Sequence, residues 1–286
     1  MEKTFDSILL AIEMEKDFKI EWIVSDNFST DGSSDWLTEN QSKYQYEIIK
    51  PEKHLSGLDN FRFLAQKSQS LYSIFFAADD FCSKEFFSVL LGQAIQRDLD
   101  GVIARTIRGR DPGLTNSPVR KRKLGILRVL RLTGDSVEGV YSLYKNHIVN
   151  SSFVNFPSNQ DNYGLDHVLY GRLFTGNRIE LQEDLSQFRF KTTFDDPTKH
   201  NNATLLNPNP IGKAKKTFNL HKLMLGDFIA NQNIGVGEKI LTVILIYPVH
   251  ILEIIDSGLP TKIRILVRKF LKSCFSVYAL IRRIGL

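Results

Sequence analysis

Over the first hundred residues, short runs rich in β-branched and aromatic residues alternate with amphipathic stretches. That alternation restricts the chain to a layered α/β sheet. After a helix-like stretch at 5–14, residues 19–26 read as a strand that ends at Asp26. Ser29, Thr30, Asp31, Gly32, Ser33 and Ser34 then concentrate residue types that bond their own backbone or cap helices, and Trp36 and Leu37 begin the apolar face of a helix. Residues 46–50 predict a second strand, 58–69 a helix, and 71–77 a third strand whose almost unbroken apolar run is that of a parallel strand buried on both faces. Ser83 is placed to cap a helix reaching about residue 96, and 101–104 form a fourth strand.

Beyond this frame, residues 108–135 form a turn-rich basic insertion. Strand character returns at 136–143, helix at 164–175 and a short strand at 178–181. Residues 195–210, rich in Asn and Pro, read as a linker. Everything after it is helical and amphipathic, with breaks near Pro248 and at Gly258-Leu259-Pro260. The expected organisation is a sheet-bearing domain over 1–195 and a basic helical region over 196–286.

With 42% hydrophobic and 24% charged residues in 286, the chain has ample core material, which excludes a disordered or low-complexity protein. Cys82 and Cys274 are the only cysteines, so neither a disulfide scaffold nor a paired-thiolate zinc site is available, and a reducing compartment is the simplest home. The net charge of +5 is unevenly placed: residues 260–286 carry seven bases and no acid, which leaves the body slightly acidic. That distribution argues against nucleic acid as a partner. The start has no secretory-signal character, and the longest uncharged apolar run, 240–252, falls short of the ~18 residues a bilayer span needs.

In open α/β sheets, ligands sit beyond the carboxyl ends of the strands. Two predicted strands end there in acids, at Asp26 and at Asp79-Asp80. Adjacent carboxylates resist joint ionisation unless a cation or a set of donors compensates them. A divalent cation on a diphosphate would do so, since magnesium commonly takes one or two carboxylates and completes its shell with phosphate and water oxygens. The plainer reading is that Asp79 and Asp80 are solvated loop acids beside a helix start.

These residues fall within a longer pattern. Residues 23–33, Ile-Val-Ser-Asp-Asn-Phe-Ser-Thr-Asp-Gly-Ser, resemble the "V-x-D-x-S-x-D-G-S" stretch of family 2 glycosyltransferases of the GT-A fold. Asn60, followed by the run from Leu71 to Asp79-Asp80, is similar to that family's "N-x-x-x-x-x-A-x-G-x-Y-I-x-x-L-x-x-D-D" segment. Gly139, Tyr141 and Lys145 resemble its "G-x-Y-x-x-x-R/K" strand. Asp166, Gly176 and the stretch from Leu185 to Arg189 resemble its later "D-x-x-L-x-x-R-x-x-x-x-G … L-x-x-Y-R" block.

The resemblance implies a GT-A-like, mainly parallel sheet flanked by helices, with a C-terminal amphipathic extension. It implies a nucleotide-sugar donor, a UDP-sugar foremost. Asp26 would contact the base, Asp79 the ribose, and Asp80 a magnesium (Mg2+) or manganese (Mn2+) ion on the diphosphate. Ser29, Asp31 and Asn60 would complete the donor site, and Asp166 would be the general base. The chain departs from the family pattern in three places. The usual opening strand with its "P-x-Y-N" motif has no counterpart before the helix at 5–14, Ala77 stands where many relatives have an acid, and Leu165 where Glu is frequent.

Other candidates carry less. Residues 235–239 lack the spacing of a Walker loop. His54, His147 and His167 are scattered, and Arg189 either contacts phosphate or pairs with an acid such as Asp184. In the tail, Ile263, Val267, Phe270, Cys274, Val277 and Ile281 form one helical stripe beside Arg264, Arg268 and Lys272. This reads as a helix lying on an anionic membrane, or one packed on protein with a solvated basic flank. The expectation is an inverting glycosyltransferase acting on a lipid-linked or surface polysaccharide acceptor, cytoplasmic and peripheral to the inner face of a bacterial membrane. The alternatives are an inactive membrane-associated scaffold that kept the sheet and, more weakly, a nucleotidyltransferase.

Overall fold

The computed structural model describes residues 1–109, 137–156, 165–174, 177–184 and 186–192, with isolated helical positions between 223 and 239. The basic insertion, the linker and the basic tail lie outside the described residues, apart from the insertion's first two positions. The elements below belong to the compact unit formed by Met1–Leu124 and Thr133–Asp195.

Chain order is α1 (Glu2–Met14), β1 (Ile23–Ser25), α2 (Ser33–Tyr44), β2 (Glu47–Ile49), α3 (Gly57–Lys67), β3 (Tyr72–Ser73), β4 (Asp80–Cys82), α4 (Phe86–Gln96), β5 (Gly101–Ile103) and β6 (Thr106–Gly109). A 3-10 turn (Val137–Tyr141), β7 (Leu143–Lys145), α5 (Asn146–Ser152), α6 (Leu165–Phe174), β8 (Ile179–Leu181) and β9 (Arg189–Thr192) follow. The strands make three sheets, ordered β1-β2, β3-β7-β5-β8 and β4-β9-β6. Parallel pairs (β1 with β2, β5 with β8, β6 with β9) alternate with antiparallel ones (β3 and β5 with β7, β4 with β9). This is the α/β, GT-A-like sheet system flanked by helices that the resemblance implies, although among the described residues antiparallel strand pairs are as many as parallel ones where a mainly parallel sheet is expected.

The apolar faces of α1 and α4 meet the sheet at Ile8, Ala11, Phe86, Leu90, Ala94 and Val102, all buried. A second cluster is aromatic: Phe5 of α1 lies 4.9–5.4 Å from the rings of Trp22, Trp36, Tyr44 and Tyr46, mostly edge-on, and clamps β1 and α2 to α1. At Gly101 an added Cβ would stand 2.6 Å from both Leu143 O and Tyr144 Cδ1, so glycine is what lets β7 and β8 close on β5.

Between β1 and β3 lies a cavity of about 530 Å³. Trp22 and Val24 line one side, Ile74 and Phe76 the other, with α3 (Phe61, Leu64) and α1 (Phe5, Ile8) contributing the remaining walls. Among the described residues no strand pairs with the outer edge of β1 or of β3.

Several local expectations are corrected. Of residues 71–77 only Tyr72–Ser73 enter a ladder among the described residues, and it runs antiparallel to β7; the apolar run beyond them borders the cavity. Asp80 does not trail a strand but opens β4, paired with β9. Ser83 does not cap α4: its Oγ accepts the Phe188 N–H at 2.8 Å, and the N-cap is Glu85 without a side-chain bond. Residues 137–141 form a 3-10 turn rather than a strand, held by the Tyr144 hydroxyl donating to Gly139 O at 2.6 Å.

Candidate active site

Asp26 stands one residue past β1, and its N–H donates to Ile49 O at 3.0 Å, which continues the β1–β2 ladder. In that parallel register the next residue of β2's chain is Lys50. Its Nζ reaches Asp26 Oδ2 at 2.8 Å, while the Ser29 N–H donates to Oδ1 at 3.1 Å. The Asp26 side chain is 2% exposed. Burial alone would raise its pKa, but the bonds from Lys50, Ser29 and Ser34 outweigh it and hold the carboxyl far below the usual range. Asp26 is therefore an anion at any working pH, able to accept a hydrogen bond and unable to donate one.

The turn after it is strained. Phe28 has φ 63 and is 51% exposed; a left-handed conformation costs a residue with a side chain about 1–2 kcal/mol. Such outliers cluster at functional positions. Gly32 (φ 85) is the N-cap of α2, a conformation that suits glycine, and exposed Asp31 accepts the Ser33 N–H at 3.1 Å. Hydrogen bonds from the hydroxyl and N–H of Ser33 hold the Asp31 carboxyl below its ordinary value. Asn60, in the first turn of α3, accepts the Ser25 hydroxyl through Oδ1 at 2.7 Å and ties α3 to the end of β1.

Asp79 and Asp80 separate. Asp79 is exposed in the turn ahead of β4, whereas Asp80 is fully buried. The turn is pinned by the Asp80 N–H on Ala77 O at 3.1 Å and by the Thr4 hydroxyl on Ala78 O at 3.0 Å. Asp80 Oδ2 accepts a hydrogen bond from Arg189 Nη1. Arg189 is itself fully buried, with Nη2 3.3 Å from Thr106 Oγ1 and Cζ 4.4 Å from the centre of the Tyr141 ring. Asp184 is thus not its partner. The Asp80 carboxylate faces a guanidinium, so the residues present do not fit a divalent ion held by Asp80. Among the described residues no three acids, histidines or cysteines gather into a metal-holding group.

The Gly139, Tyr141, Lys145 motif acquires physical content. A Cβ at 139 would lie 1.9 Å from Tyr170 Cε2, Tyr141 supplies the ring against Arg189, and Lys145 pairs with Asp100 at 3.1 Å and Asp98 at 3.3 Å. Asp166 enters in the first turn of α6, which contacts α5 and the 3-10 turn bearing Tyr141. Ser25 and Asn60, beside Asp26, and Ala77 and Ala78, beside Asp79, all border the cavity. Sequence reasoning missed Lys50 and Phe28. The parallel register of two strands ending at 25 and 49 is the signal that pairs Lys50 with Asp26.

Residues 1–153 match the profile described as glycosyl transferase family 2, just over half of the chain. The chain belongs to that family. No curated protein matches it. Among solved structures it is similar to S. aureus TarS 1–349 in complex with UDP, at TM-score 0.59 and 14% identity over 84% of this chain and 64% of that one. It is similar to the same protein in complex with UDP-GlcNAc at TM-score 0.60 and 14% identity, over 84% and 66%. S. aureus TarS itself gives TM-score 0.54 and 13% identity, over 96% and 50%. At such identities the likeness is one of fold. The chain spans under two thirds of the length of the two TarS 1–349 complexes named first.

Proposed function

We propose that this family member is an inverting glycosyltransferase that moves a sugar from a UDP-sugar to a lipid-linked or surface polysaccharide acceptor. The observation that carries the reading is Asp26: a buried, permanently ionised acceptor at a strand's carboxyl end, beside the exposed ring of Phe28. An obligate acceptor is complementary to a base edge offering an N–H, as uracil does, and an exposed aromatic ring offers a stacking face. The TarS complexes with UDP and UDP-GlcNAc, matched in fold, support a UDP-sugar. Asp79, exposed at the next turn, is assigned the ribose hydroxyls, with Ser29, Asp31 and Asn60 shaping the loop around the base.

In the proposed reaction the acceptor hydroxyl gives its proton to Asp166 as its oxygen bonds to the anomeric carbon. The bond from that carbon to the diphosphate oxygen breaks on the opposite face, and the nucleoside diphosphate leaves. A positioned base contributes about 10²- to 10⁴-fold. A divalent ion would neutralise the departing diphosphate, but the Asp80 carboxylate is paired with Arg189.

Calorimetric titration with UDP, dTDP and GDP tests the reading: UDP is expected to bind and Asp26→Ala to abolish binding. Binding of none of the three overturns it. A scaffold that kept the sheet without donor chemistry is the second reading, favoured by edges of β1 and β3 around the cavity with which no strand among the described residues pairs; the same titration separates the two. The membrane-surface assignment rests on the basic stripe of residues 260–286. Co-sedimentation with anionic vesicles, lost on deleting that stripe, checks it. Among the described residues no helix is long and apolar enough to cross a membrane.

A further inference from the structure

We propose that Arg189 is the resident counter-ion of Asp80, standing where a divalent cation would otherwise stand, so that Asp80 holds the site's architecture rather than a metal. The inference concerns the site assigned above to the donor. Its stability arm does not depend on that assignment.

Arg189 is held through its strand, through both terminal nitrogens and by one aromatic ring. Its backbone lies in β9, between β4 and β6, with its N–H on Arg105 O at 2.9 Å. The neighbouring Phe190 stacks on Phe81 of β4 at 4.6 Å. Nη1 donates to Asp80 Oδ2, Nη2 reaches Thr106 Oγ1, and the ring of Tyr141 covers the guanidinium face. The two charged side chains are 0% and 1% exposed.

The guanidinium sets a delocalised positive charge directly against the Asp80 carboxylate. A divalent ion on the same carboxylate would have to approach a buried like charge without water to screen it, and its oxygen ligands must come within about 2.0–2.1 Å. Moving Arg189 aside instead would leave its charge buried and unpaired, because β9 is held on both edges. Cation–π contact and planar hydrogen bonding also make guanidinium, rather than ammonium, the group suited to this position. Asp79, one residue earlier and exposed, keeps the solvent-facing role.

The test uses the full chain as wild type, R189M, D80N and D80N/R189M. Urea midpoints are expected to fall strongly for R189M and to recover most of the way in the double variant, which carries neither charge. Mn2+ binding, followed by paramagnetic resonance with and without UDP, is expected to stay within twofold of wild type in D80N and in D80N/R189M. A tenfold or greater loss of Mn2+ affinity in whichever of these two variants folds overturns the proposal. A double variant no more stable than R189M overturns it as well. Failure of UDP to bind wild type in the same series defeats the donor reading, while the midpoints still report on the pair.

Discussion

Replacing Asp26 by Asn keeps the shape of the side chain and removes its charge. The Ser29 N–H to a buried carboxylate, the Ser34 hydroxyl and the Lys50 ammonium at 2.8 Å all lose a charged partner. Hydrogen bonds to charged groups contribute about 1.5–3 kcal/mol. Lys50 is 57% exposed, so its share is screened to about 0.2–1 kcal/mol. Together D26N is expected to lose about 2–3 kcal/mol at pH 7. The pH dependence follows from the depressed pKa: the stabilisation is complete above the unfolded value of about 3.9 and is lost as pH falls from there toward the folded value. At pH 3 the unfolded carboxyl is mostly protonated while the folded one remains ionised, and linkage puts the loss at about 1.3 kcal/mol. The difference in unfolding free energy between wild type and D26N, from urea titrations, should therefore shrink by that amount between pH 7 and pH 3. Other carboxylates cancel in the difference. A gap that is the same at both pH values refutes the assignment of Asp26 as a permanently ionised anchor.

Phe28→Ala should weaken UDP binding by about 1 kcal/mol or more, since stacking on a base contributes about 1–3 kcal/mol, without lowering the melting temperature; calorimetry and thermal melts read the two effects separately. Asp166→Asn should reduce kcat by about 10²- to 10⁴-fold with UDP affinity unchanged, and an equal loss of binding would contradict its role as base. Gly101→Ala forces a Cβ to within 2.6 Å of a backbone carbonyl and should cost about 1–3 kcal/mol of stability, measured as an early urea midpoint.

Much of the frame was legible in the chain itself. The order of helices and strands through residue 103, β4 apart, a strand whose carboxyl end lies at Asp26, and the turn over 29–34 follow from periodicity and backbone preference, which act over a few residues. Local preference alone misread residues 71–77: they are apolar enough for a long strand, yet a ladder needs a strand to pair with, and beyond Tyr72–Ser73 the run borders a cavity with no ladder partner among the described residues.

Sequence determined which residues carry charge and on which short element each one sits. Only the tertiary structure decided what those charges face. Asp80 and Arg189 are 109 positions apart, and no periodicity links them. They meet because β4 and β9 pair in a register that sets Cys82 against Arg189 and leaves no water between the two side chains. Asp79, its immediate neighbour, is exposed because it still lies in the turn ahead of β4. A single step along the chain thus separates an exposed carboxylate from a fully buried one.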